Sequence, residues 1–139
     1  MNKLIAGLLA ALWLIPAVST ARGPEALTDL NQALEQAKKE KKMLFIQYGR
    51  EACGNCQALR GYIRDGSLRL SKTAFVYVDL NCDDRQVNQQ FRQKFKVQGN
   101  TLPFVVVASP EGEQLAARTG YGSPEEYEKL IRSAKKDKK

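Results

Sequence analysis

The chain has 139 residues, 22 basic and 15 acidic side chains for a formal net charge of +7, and a composition that is 43% hydrophobic and 27% charged. That size points to one domain, and the composition excludes a disordered or low-complexity chain. The lack of any histidine excludes Ser-His and Cys-His catalytic pairs, His-ligated zinc or copper and a His-ligated haem, and three cysteines are too few for a disulfide-stapled scaffold or a four-Cys zinc site.

The first stretch reads as an address. Lys3 precedes an apolar run from Leu4 to Ile15, which Pro16 ends. Ser19 and Ala21 fit the minus-three and minus-one positions of a secretory cleavage site, with Ala17 and Ser19 as a second register. Residues 1–21 are therefore expected to be a signal peptide, and 22–139 the domain it exports. The run is shorter than the roughly 20 residues of a spanning helix, which favours cleavage over an uncleaved membrane anchor. Export implies a periplasmic or secreted protein, where paired cysteines tend to be oxidised.

From about Pro24 to Lys42, Leu27, Leu30, Leu34 and Ala37 recur at helical spacing. Met43–Tyr48 (MLFIQY) is a compact apolar run that predicts a buried strand. After a turn at 49–52, Cys53-Gly54-Asn55-Cys56 opens a helix to about Arg64, with Cys56, Leu59, Arg60 and Ile63 as its inner stripe; Asp65-Gly66 stops it. Ala74–Leu80 predicts a second strand, and Asp83 or Asp84 caps a helix carrying Val87, Phe91 and Phe95. Pro103–Ser109 predicts a third strand, joined by the turn Pro110–Glu113 to Gln114–Thr119. Ser123-Pro124-Glu125-Glu126 caps a last helix, turning Tyr127, Leu130 and Ile131 inward. The order α-β-α-β-α-β-β-α predicts an α/β sandwich of three layers, a central mixed sheet with helices on both faces. Lysines 38, 39, 41 and 42, and 135, 136, 138 and 139, fall at helix C-termini, where cations complement the macrodipole. They read as solvated ends, and without interleaved aromatics they do not suggest nucleic-acid binding.

Cys53-x-x-Cys56 at the seam of a strand and a helix is the strongest chemical signal. Two cysteines at this spacing can close a small disulfide, the first sulfur open and the second covered by the turn. The helix N-terminus stabilises a thiolate through unsatisfied N–H groups and its positive dipole end. Gly54 permits a tight turn and, with Asn55, leaves the first sulfur open to attack. The same spacing also serves a static disulfide or half a metal site, but no second CxxC and no histidine complete such a shell. No metal or other cofactor is expected. Arg50 and Glu51 read as solvated loop charges; close to Cys53, Arg50 would favour its thiolate and Glu51 oppose it. Cys82 reads as a small hydrophobe, or else as an extra thiol.

The segments MLFIQYGREACGNCQALR, VYVDLNCD and FKVQGNTLPFVVVASPEGEQLAARTGY resemble the thioredoxin superfamily over about residues 26–133. Among its members the chain is similar to exported disulfide-exchange domains. In that superfamily the proline opening the third strand is cis and lies against the CxxC, and the residue before it offers backbone groups to a substrate. The resemblance thus implies a cis Pro103 and a substrate-contacting Leu102. The chain departs from the pattern in three places. Ala52 replaces a frequent Trp, Gln47 stands where many members bury a proton-accepting Asp, and Asp79 stands where a Lys is common. Asp79 is then either the proton acceptor, reached from the neighbouring strand, or a partly solvated carboxylate.

These readings imply a monomeric thiol–disulfide oxidoreductase, with Cys53 as attacking thiolate and Cys56 as resolving thiol. Its partners would be protein thiols and disulfides and an upstream redox protein, with a membrane involved only through an uncleaved leader. Without a histidine between the cysteines, a reductase or intermediate exchanger is favoured over a strong oxidase. A client-binding module with a non-catalytic disulfide is the alternative, and a thiol peroxidase is a weaker one.

Overall fold

The computed structural model describes residues 23–137. The leader, its cleavage site and the last two lysines lie outside the described residues, and no described helix is long and apolar enough to cross a membrane.

The elements are β1 (Ala26–Leu27), α1 (Leu30–Glu40), β2 (Met43–Gly49), α2 (Gly54–Asp65), β3 (Phe75–Asn81), α3 (Arg85–Lys94), β4 (Phe104–Ala108), β5 (Gln114–Thr119) and α4 (Pro124–Asp137). The sheet order is β1-β3-β2-β4-β5. β1 and β2 pair with β3 in parallel, while β4 runs antiparallel to both β2 and β5. The chain thus has an α/β fold with a mixed sheet of five strands.

Strand periodicity sorts the core into two layers. Leu44, Ile46 and Tyr48 of β2 meet Leu30, Ala33 and Ala37 of α1 and Phe91 and Phe95 on one face. Phe45 meets Leu59 and Ile63 of α2 and Tyr127, Ile131 and Ala134 of α4 on the other. Tyr48 and Phe91 stack at 4.3 Å between ring centroids, and Phe104 meets Phe91 edge-on at 6.2 Å. Such aromatic pairs add about 0.5–1.5 kcal/mol beyond the burial of their area.

The first helix starts later than its periodicity suggests. Asp29 is its N-cap, accepting from Gln32 N at 2.9 Å, and Ala26–Leu27 instead form an edge strand on β3. A capping Asp sets the helix start more firmly than one additional leucine in phase, because it satisfies an orphan N–H. At the hairpin between β4 and β5, Gly112 has φ +84°, and a Cβ there would sit 2.7 Å from Leu34 Cδ2. The left-handed backbone conformation is what favours glycine here.

Candidate active site

β2, β3 and the start of β4 meet at one end of the sheet. The register Gly49↔Asn81 and Tyr48↔Phe104 sets the ends of three strands side by side. Chain segments that leave these ends carry all three cysteines and Pro103.

Cys53 is the N-cap residue of α2. Its backbone is extended (φ −82°, ψ 113°), and its sulfur accepts from the Cys56 N–H at 3.2 Å. A sulfur here occupies the place where Ser or Asp usually satisfies the first turn. It faces the positive end of the helix, and the first turn of α2 contains no acidic residue to offset that field. Cys53 and Cys56 are disulfide-bonded with a Cα–Cα separation of 5.2 Å. Cys53 is half-buried and Cys56 fully buried. Gly54 and Asn55 are exposed between them, so the path to the bridge crosses the turn.

The wall behind Cys56 is glycine. A Cβ on Gly49 would lie 2.6 Å from the Cys56 sulfur and 3.9 Å from Pro103 Cβ. Gly49 ends a strand in which all seven residues are buried, and it stands where the sequence suggests only a turn. The sequence signal is a glycine that closes an apolar strand ahead of a CxxC. The Leu102–Pro103 peptide is cis, and Pro103 O accepts from Gly120 N at 2.9 Å. Pro103 is buried next to this wall and Leu102 is half-buried.

Gln47 lies fully buried on the α2 face of β2. Its Nε2 donates to Cys56 O at 2.9 Å, and its Oε1 accepts from Tyr77 Oη at 2.9 Å. Burial pushes the Tyr77 phenol far above its usual range, so it remains a donor. The amide thus braces the first turn of α2 without taking a proton itself. Sequence reasoning noted that Gln47 cannot titrate but missed this bracing role, because Tyr77 is distant in sequence.

Asp79 is paired with Gln47 across β2 and β3. Its carboxylate receives both Arg60 Nε at 2.6 Å and Arg60 Nη2 at 3.2 Å. The two contacts form a bidentate ion pair that fixes the Asp79 carboxylate in place. Arg60, expected in the inner stripe of α2, is only partly buried and turns to this carboxylate. Burying a guanidinium without its partner is too costly.

Arg50 is exposed and turns to Cys82 and Asp83. Its Nη2 lies 3.6 Å from Cys82 Sγ and 3.2 Å from Asp83 Oδ1. Cys82 is half-buried, packs at the margin of the α1–α3 core, and donates its backbone N–H to Gly49 O at 2.7 Å. Among the described residues, no three His, Cys, Asp or Glu side chains cluster as metal ligands.

A family model described as a thioredoxin-like domain matches residues 30–135. No curated protein matches the chain in sequence. Among solved structures, a mutant thioredoxin from Halobacterium salinarum superimposes with a TM-score of 0.60 at 18% identity, covering 82% of this chain and 92% of its own. An oxidoreductase designated DsbH gives 0.54 at 22% identity, over 93% of this chain and 95% of its own. Oxidised thioredoxin from Plasmodium falciparum gives 0.56 at 15% identity, over 78% and 94%. At these identities the structures establish a shared fold.

Proposed function

Because the chain belongs to the thioredoxin-like domain family, we propose that it is an exported thiol–disulfide oxidoreductase acting on protein clients through Cys53 and Cys56. The thioredoxin-like fold carrying a CxxC-spaced disulfide supports the general activity. One observation carries the assignment of roles. The half-buried Cys53 sulfur caps α2 and accepts from the Cys56 N–H, whereas Cys56 is buried behind it.

The reaction then follows from the geometry. In the reduced protein the Cys53 thiolate attacks a client disulfide. A Cys53–client bond forms, the client S–S bond breaks, and one client sulfur leaves as a thiolate that takes a proton. Cys56 gives up its proton and attacks the Cys53 sulfur, which closes Cys53–Cys56 and releases the second client thiol. The client gains two electrons and the protein loses two. Leu102 and Pro103 border this attack and are proposed to align the client. Asp79 is proposed as the carboxylate that influences proton release from Cys56, acting from its pair with Arg60. Direct proton acceptance would require that pair to open. The buried amide Gln47 supplies no base, and no histidine separates the cysteines. The lack of that histidine favours a reductase or an intermediate exchanger over a strong oxidase.

The experiment is the reduction potential of the Cys53–Cys56 pair in the protein starting at Arg22, read by alkylation mass shift with Cys82→Ser alongside. A value near the thioredoxin end, about −270 mV, is expected for a reductase. A value near about −120 mV would assign a disulfide donor instead. A protein that never exchanges disulfides, yet still holds clients after Cys53→Ser, would be a binding module.

A further inference from the structure

A cavity of about 220 Å³ opens beside Leu102, and Arg50, Cys82, Asn88, Arg92 and Asn100 contribute to its walls. Its lining includes two guanidinium groups and two carboxamides but no carboxylate. Arg92 is held by an amide rather than an acid, with Nε donating to Asn88 Oδ1 at 2.9 Å. The same oxygen accepts from Tyr48 Oη at 2.8 Å. Two donors thus occupy the Asn88 oxygen, and the group Asn88 retains for a ligand is its NH₂. Arg50 reaches the cavity wall at Cys82, and its carboxylate partner, Asp83, is exposed outside the lining. The cavity is therefore rich in donors and positive, and guanidinium forks match carboxylates.

Its place gives it a use. Leu102 borders the cavity and is bonded to Pro103, which lies at the same glycine wall as the Cys56 sulfur. An extended client advances about 3.3 Å per residue, the scale on which a client laid along Leu102 would present a side chain near its cysteine to this cavity. We propose that the cavity is a subsite for a client carboxylate next to the reacting cysteine, which gives the protein a preference for acidic client segments. The proposal rests on the oxidoreductase reading above.

Cys82 supplies a test that needs no disulfide exchange. With Cys53 and Cys56 oxidised, it is the one free thiol among the described residues. Alkylation rates at Cys82 are measured with anionic iodoacetate and neutral iodoacetamide, relative to a blocked neutral cysteine. The Cys82 thiolate displaces iodide from both reagents, so the ratio of rates cancels the thiolate fraction. The expected result is a ratio roughly two- to five-fold above the reference at low salt, the range of exposed ion pairs. It should fall to the reference in R50Q/R92Q and fall part of the way in R92Q alone. A ratio equal to the reference in the unaltered protein would overturn the proposal.

The second arm uses reduced protein in a Cys82→Ser background. Disulfide peptides carry Glu, Gln or Lys beside the cysteine, and a small carboxylate-bearing disulfide is run in parallel. The expected result is a KM roughly two- to five-fold lower for Glu than for Gln and highest for Lys, with the three values equalised in R50Q/R92Q. Equal KM values for all three peptides would overturn it. A preference confined to the small disulfide would overturn it in favour of a free acid. If no peptide is turned over, the oxidoreductase reading fails, while the alkylation ratio still decides whether the cavity selects anions.

Discussion

Two adjacent strands of this protein end in helix starts of opposite chemistry. β2 and β3 run parallel and in register, and each leads within a few residues to the N-terminus of a helix. At α2 the cap is the Cys53 sulfur, which accepts a single N–H, from Cys56. At α3 the cap is the Asp84 carboxylate, which accepts from Gln86 N at 2.8 Å and Val87 N at 3.1 Å. The same exposed N–H groups and the same dipole are available at both. A fixed anion turns them into stability. A sulfur that alternates between disulfide and thiolate leaves them available to chemistry. The difference teaches that α2 has a weaker cap than α3 and draws support from elsewhere, from the bonds of Gln47 to Cys56 and Tyr77 beneath it.

The contrast can be broken most severely at Cys53. Cys53→Ser should abolish disulfide exchange, whereas Cys53→Asp should abolish it and raise the midpoint of urea unfolding above that of Cys53→Ser, since it installs the cap of α3. An Asp variant less stable than the Ser variant would show that the two helix starts are not equivalent. Next in size is the brace. Gln47→Leu leaves Cys56 O and Tyr77 Oη without their buried partner, so chemical denaturation should show a loss of about 2–3 kcal/mol. Asp84→Ala should cost about 1 kcal/mol and leave the reduction potential of the disulfide unchanged. A shifted potential would mean that the two caps are coupled.

The last effect involves neither cap and shows only at alkaline pH. Burial pushes the Tyr127 phenol up to about 12. A raised folded-state value means that its contribution is complete below the ordinary pKa of about 10 and is lost as pH rises towards 12. Tyr127→Phe should remove that component of the alkaline loss, and urea midpoints followed between pH 9 and 12 will check it.

Much of this site was legible in the sequence. The CxxC at a strand–helix seam, a cap at Asp83 or Asp84 with Phe91 and Phe95 following it, and Pro103 opening a strand are local patterns carried by one segment each; the structure chose Asp84. The sandwich of strands and helices follows from alternating apolar runs for the same reason. The first helix shows the limit of periodicity. Leu27 keeps helical phase with Leu30 and Leu34 but belongs to an edge strand, because Asp29 caps between them.

The sequence by itself determined which residues carry chemistry: a cysteine pair three apart, no histidine, and a glutamine where a proton acceptor is common in the family. Tertiary structure alone decided their partners. Gln47 meets Tyr77, Arg60 meets Asp79 and Arg50 meets Cys82, each across a long sequence separation. Gly49 became the wall of the disulfide because β4 brings Pro103 to its side. Propensity and periodicity act over a few residues, whereas charge pairing and close approach depend on which strand ends the sheet sets side by side.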